Sequence, residues 1–305
     1  MSDAMTLRAM RAGMRALGWV SPAAAGRVAV RLFFRPRRHE RPDRERQVLL
    51  EGAPLELRSG LAATAWGGDG PTVLLVHGWE GRGSQLGAFV RPLVLAGRRV
   101  VALDGPAHGD SAGEETNLLE FARALVAVER EVGPLEAVVA HSFGSAATLL
   151  ALDIGLRPRR VVVIAGPASI TDVLARFEEL LRLPPRVAAR FRELTARKVG
   201  RRAEELDLAA AAARQTVPAL VVHDPDDAEV PYAEAVTLAA AWPGARLRTV
   251  SGLGHRRILR DPAVVREVVE FATGAGTPAE SPAADPRARD PRPSPVDVGP
   301  VEART

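Results

Sequence analysis

The chain has 305 residues, 47% of them hydrophobic and 26% charged, which suits one substantial core with ragged ends better than two equal domains. It contains no cysteine, excluding disulfides and thiolate metal sites and fitting a reducing, cytoplasmic setting. The formal charge of +4 is carried almost wholly by arginine and is local: residues 1–46 hold 11 arginines against Asp3, Glu40, Asp43 and Glu45, a balance of +7, so the remainder stands at −3 and argues against nucleic acid as a partner of the main body. Residues 6–20 place Leu7, Met10, Met14 and Leu17 on one helical face and Arg8, Arg11 and Arg15 on another. Those arginines break the apolar run, so no secretory signal is expected, and no stretch is long and apolar enough for a transmembrane helix. Ser21-Pro22 reads as the N-cap and first residue of a second helix, ending near Phe34. This basic arm, residues 6–34, suits packing through Met10, Met14, Leu17, Trp19, Leu32 and Phe33 onto the main domain or a second subunit; peripheral contact with an anionic membrane is the alternative. Residues 35–46, with Pro36 and Pro42, form a charged connector that completes an arm of residues 1–46.

Strands and helices then alternate. Val48–Leu57 and Leu61–Trp66 read as short strands, and Thr72–Val76 as a buried strand ending in His77-Gly78-Trp79. Ser84–Ala96 has helical spacing, Arg99–Leu103 is a buried strand ending at Asp104, and Asn117–Val132 is helical. Glu136–Ala140 and Arg160–Ala165 are further strands, with a helix over Ser145–Ile154 between them, and Pro218–Val222 and Ala245–Val250 complete eight. Wholly apolar strands alternating with helices predict an α/β domain over residues 47–272, its mostly parallel eight-stranded sheet covered by helices on both faces. Residues 167–216 carry no strand pattern and read as a helical lid inserted after the sixth strand, with arginines on a solvated face, an anion site for the substrate being the alternative. Residues 273–305 are rich in Pro, Ala, Gly and charge, and predict a disordered tail.

The residues from Ala137 to Ala147 are the first candidate for a reactive site. An apolar β-branched run meets an alanine-rich helical pattern at Ser142, with Ala140 and Gly144 as the small residues two positions either side, the pattern of a nucleophile elbow. Alanine stands where that pattern has its first glycine, and a plain helix N-cap is the simpler reading of the serine alone. Other candidates lie at strand ends, where open α/β sheets bind ligands: Asp224, Asp226 and Asp227 after the seventh strand and His255 after the eighth. Serine, acid and histidine follow one another in that order along the chain.

From Val48 to Phe271 the sequence thereby resembles the α/β-hydrolase superfamily of serine hydrolases. His77-Gly78-Trp79 is similar to its oxyanion loop, Asp104 to Ser111 to its D-x-x-x-H-G-x-S loop, Asp227-Ala228-Glu229-Val230-Pro231 to its D-x-x-V-P acid motif, and Gly254-His255 to the pair carrying its base. The resemblance implies Ser142 as nucleophile, His255 as general base and Asp227, ahead of Asp224, as its orienting acid, with the N–H groups of Trp79 and Phe143 as the oxyanion hole. His77 is expected to brace the oxyanion loop, His108 its own loop, and His141 to shape the elbow or line the pocket. Leu174 and Phe177, with Trp79 and Phe143, suggest an apolar acyl site, so His77, His141, Leu174 and Phe177 are the candidate substrate contacts. The expected substrate is a small molecule with an apolar acyl group, cleaved at a carboxylic ester without cofactor or metal. Acyl transfer, thioester or carbon–carbon hydrolysis, and a non-catalytic binding role on the same fold are the alternatives. The related dehalogenases and epoxide hydrolases use an aspartate where this chain has Ser142.

Overall fold

The strands are β1 (Ala53–Glu56), β2 (Ala62–Trp66), β3 (Thr72–Val76), β4 (Arg99–Leu103), β5 (Leu135–His141), β6 (Val161–Ile164), β7 (Ala219–His223) and β8 (Arg246–Thr249). In the computed structural model, which describes residues 3–275, with side chains from residue 5 onward, they form one sheet in the order β1-β2-β4-β3-β5-β6-β7-β8. Pairing is parallel from β4 to β8, and β2 runs antiparallel to both of its neighbours. β3 and β7 are buried at every position because both sheet faces are covered, which is why their sequences are continuous apolar runs.

The helices are α1 (Asp3–Val20), α2 (Pro22–Phe34), α3 (Asp43–Leu50), α4 (Val90–Leu95), α5 (Leu118–Val132), α6 (Phe143–Asp153), α7 (Ile170–Leu181), α8 (Pro185–Val199), α9 (Leu208–Ala213), α10 (Tyr232–Ala241), α11 (Gly254–Arg257) and α12 (Pro262–Thr273). Strand residues alternate between two cores. Leu74, Val76, Val101, Leu103, Val138 and Ala140 pack with α5 and α6 on one face. Val73, Leu75, Val100, Ala102, Ala137 and Val139 pack with α4 and α12 on the other. Each fully buried Leu or Val contributes roughly 1.5–3 kcal/mol, so the central strands hold every strand end in place.

Two places differ from the sequence expectation, and a third lies beyond what the structure describes. Residues 48–50 are helical and the strand begins only at Ala53. Pro42 starts α3, Asp43 and Glu45 favour its N-terminal dipole, and Val48 and Leu49 pack onto the second core. Trp19 stays outside the apolar seam and is 87% exposed. Residues 276–305, nearly all of the expected disordered tail, lie outside the described residues.

Between β6 and β7 the chain forms α7, α8, a 3₁₀ turn at Ala203–Glu205 and α9, with no strand of the sheet. Six arginines there meet carboxylates: Arg176 with Glu234, Arg190 and Arg197 with Glu193, Arg192 with Glu178, Arg201 with Glu205 and Arg214 with Asp153. The N-terminal hairpin packs against this insertion. Met14, Ala25 and Ala29 join Leu174, Val187 and Phe191 in one apolar seam, and the Phe33 ring meets Phe177 and Phe191 at 5.0 and 5.4 Å.

Candidate active site

Ser142 is the hinge between β5 and α6. Its backbone sits at φ 52°, ψ −122°, a conformation costing roughly 1–3 kcal/mol in a non-glycine residue and kept only where the surroundings enforce it. They do so here on both sides. Ser142 donates its N–H to Ile164 O at 2.9 Å, and Ser145 Oγ donates back to Ala140 O at 2.9 Å. A Cβ at Gly144 would lie 2.4 Å from His77 O, and one at Gly78 would lie 2.9 Å from Ser142 Cβ, so both positions require glycine. Ala140 faces the core and is fully buried, where its methyl is accommodated.

The aspartates after β7 divide the work. Asp227 Oδ2 accepts from His255 Nδ1 at 2.7 Å, while its Oδ1 accepts from the N–H groups of Glu229 and Val230 at 2.8 and 3.0 Å. Burial opposes ionisation of this carboxyl, but donors at His223, His255 and Val230 outweigh it and hold it well below the usual carboxylate range. An ionised carboxylate only accepts, so Nδ1 of His255 carries the proton of that bond and Nε2 is left facing away from Asp227. Asp224 instead accepts from the N–H groups of Asp226, Leu253 and Gly254, fixing the loop that delivers His255. His255 itself is 8% exposed. Ser142 Oγ makes no hydrogen bond among the described residues.

On the opposite side, His77 is fully buried, donates from Nδ1 to Gly78 O at 2.7 Å and accepts at Nε2 from Gly105 N–H at 2.9 Å. Both ring nitrogens serve backbone, so His77 ties the loop after β3 to the loop after β4. Burial, with nearby Arg82 adding to it, lowers its pKa to about 4 despite the bond to Gly78. The Trp79 ring meets Phe143 and His108, both at 5.1 Å, and Phe121 meets Phe143 at 5.5 Å. His108 donates from Nδ1 to Pro106 O at 2.9 Å and holds its own loop. Phe143 opens α6, so its N–H has no acceptor within the helix and lies beside the serine.

His141 donates from Nε2 to the carbonyl of His255 at 2.9 Å, its ring 4.7 Å from the His255 ring, and it leaves Nδ1 without a partner. The histidine preceding Ser142 therefore holds the backbone of the histidine beyond β8. Leu174 and Phe177 make apolar contacts with the N-terminal hairpin and Phe191. Glu229 escaped the sequence reading. Its Oε2 lies 3.8 Å from His255 Nε2 and its Oε1 3.1 Å from Arg256 Nε. Its place two residues after Asp227, inside the acid motif, is the signal that marks it.

A family model described as "Alpha/beta hydrolase family" matches residues 73–268. Over 124 residues the chain is 36% identical to the dihydrolipoyllysine-residue acetyltransferase component of the acetoin cleaving system of Pseudomonas putida, the match covering 38% of this chain and 33% of that one. An esterase from Exiguobacterium antarcticum is similar in structure with TM-score 0.54 at 16% identity, over 72% of this chain and 99% of its own. A thioesterase domain from the curacin biosynthetic pathway aligns at TM-score 0.54 and 17% identity over 73% and 98%. A bromoperoxidase from Bacillus anthracis aligns at 0.55 and 16% over 73% and 99%. With the sheet order, the elbow and a family model spanning well over half of its length, the chain belongs to the α/β-hydrolase family.

Proposed function

We propose that this hydrolase cleaves a carboxylic ester, or a related acyl bond, through an acyl-enzyme on Ser142. The observation that carries the reading is the 2.7 Å contact between Asp227 and His255 Nδ1, on the strand ends beside a strained serine elbow. Ser142 Oγ attacks the carbonyl carbon as His255 Nε2 takes its proton, and Asp227 stabilises the imidazolium. The N–H groups of Phe143 and Trp79 receive the developing oxyanion, each such donor contributing about 3–4 kcal/mol. Collapse expels the alkoxide, which leaves with the proton from Nε2. Water, deprotonated by the same nitrogen, then attacks the acyl carbon, releasing the carboxylate and restoring Ser142. The aromatic group Trp79, Phe121 and Phe143 makes an apolar acyl group the fitting partner of this site.

The test is turnover of a short p-nitrophenyl ester by the wild type and by Ser142→Ala. The variant is expected to be folded and inactive; unchanged turnover removes the reading. The name of the Pseudomonas putida relative supports a second one, transfer of the acyl group to an acceptor other than water. Partitioning between acid and acyl-hydroxamate when hydroxylamine is added separates the two.

A further inference from the structure

The inner face of the N-terminal hairpin is used up on the helical insertion, and its outer face has an unusual composition. From Ala4 to His39 the chain carries eight arginines and not one carboxylate. Along α1 the residues Met5, Arg8, Ala12, Arg15 and Trp19 recur at alternating spacings of three and four, which puts them on one helical stripe, and all five are exposed. Trp19 and the adjacent Val20, at the corner between α1 and α2, are 87% and 85% exposed. On α2, Arg27 and Arg31 are exposed, with Val28 between them 40% exposed. Arg8, Arg15, Arg27 and Arg31 meet no carboxylate among the described residues, whereas Arg35 and Arg37, immediately beyond α2, pair with Glu114 and Glu80.

We propose that this outer face docks on an anionic lipid bilayer. Trp19 and Val20 enter the boundary between headgroups and acyl chains, and Arg8, Arg15, Arg27 and Arg31 meet lipid phosphates. An indole has the apolar body and polar edge suited to that boundary, and from Ala4 to His39 no carboxylate opposes the headgroups. A second copy of the chain fits less well, because a two-fold contact through this face would set the same arginines against one another. No helix among the described residues is long and apolar enough to cross a membrane, so the contact is one of surface lodging. The proposal is independent of the chemistry at Ser142.

The test is co-sedimentation of the full chain with phosphatidylcholine vesicles, with and without about 30 mol% phosphatidylglycerol, at low and high salt. The expected partition is roughly 10-fold or more in favour of the anionic vesicles, lost at high salt. The double variant Trp19→Ser, Val20→Ser should bind anionic vesicles about 10-fold more weakly, and exchanging the four arginines for Gln should abolish the anionic preference. Circular dichroism and ester turnover in solution should be unchanged in both, since the altered side chains are exposed. Equal partition to the two vesicle types, or full binding by either variant, overturns the proposal. So does a concentration-dependent dimer, abolished by Trp19→Ser, in a protein that ignores vesicles.

Discussion

Arg37 and Glu80 join the N-terminal connector to the loop after β3: Arg37 gives the Glu80 carboxylate three hydrogen bonds, from its backbone N–H at 3.3 Å and from Nε and Nη2 at 2.9 and 3.0 Å. Glu80 follows Trp79 and is held at φ 54°, so the arm fixes the backbone next to a proposed oxyanion donor. Glu80→Ala is expected to lower kcat on a p-nitrophenyl ester by about 10- to 100-fold with little change in KM, the size of loss that small misplacement of a reacting group brings. Glu80→Gln, which can still accept from Arg37, should recover part of it. A wild-type kcat in Glu80→Ala would show that the arm does not position the loop.

The two aspartates after β7 should separate cleanly. Asp227→Asn removes the acceptor that fixes the His255 tautomer and is expected to cost about 10³–10⁴-fold in kcat. Asp224→Asn exchanges one acceptor oxygen for an NH₂ facing backbone N–H groups. It should cost about 1–3 kcal/mol of stability, with a smaller loss of kcat. Turnover and urea unfolding of both variants check this, and equal losses of kcat would contradict the division of roles.

That division was legible in the sequence only in outline. The strands could be read because a sheet covered on both faces demands uninterrupted apolar residues, and the elbow because its period changes at Ser142. Spacing after β7 offers Asp224, Asp226 and Asp227, the resemblance at Val230-Pro231 puts Asp227 first, and the fold adds that Asp224 meets the Leu253 and Gly254 amides while Asp227 meets His255. Residues 48–50 looked like strand because Val-Leu-Leu serves either state, and the cap at Pro42 lies outside that window. The packing of Leu174 and Phe177 against the arm is not legible locally, because nothing in their own segment marks the hairpin as its partner.

Gly144→Ala tests how tightly the elbow is built. The new methyl would stand 2.4 Å from the carbonyl oxygen of His77, a backbone atom that cannot swing aside. The expected cost is on the order of 1–3 kcal/mol by urea unfolding, with activity reduced in the same variant. Ala140→Gly, at the other small position, only removes a buried methyl and should retain most activity. Wild-type stability in Gly144→Ala would mean that strand and helix are not so closely set.

Buried histidines predict acid sensitivity. Burial lowers the pKa of His108 and His141 to about 3, with neighbouring His77 and His255 respectively adding to the effect, and His77 stands at about 4. In the unfolded chain each binds a proton below about 6.5. Between that pH and about 4 the unfolded state therefore holds more protons, and stability must fall as pH falls. Asp227, depressed by its partners against the effect of burial, acts in the same direction: its contribution is present above pH ~4 and lost as pH drops towards its folded value. The unfolding free energy should fall on the order of 1 kcal/mol per pH unit for each histidine between pH 6 and 4. Urea titrations across that range measure it, and His108→Phe should flatten the slope. A flat profile in the wild type would sink the argument.

Covalent labelling tests most directly whether Ser142 is the nucleophile. The protein is treated with a fluorophosphonate, and the modified residue is located by mass spectrometry of its peptides. The expected result is one adduct, on Ser142, absent from Ser142→Ala and formed far more slowly in Asp227→Asn. Folded wild-type protein that takes no label, or equal labelling of Ser142→Ala, would contradict it.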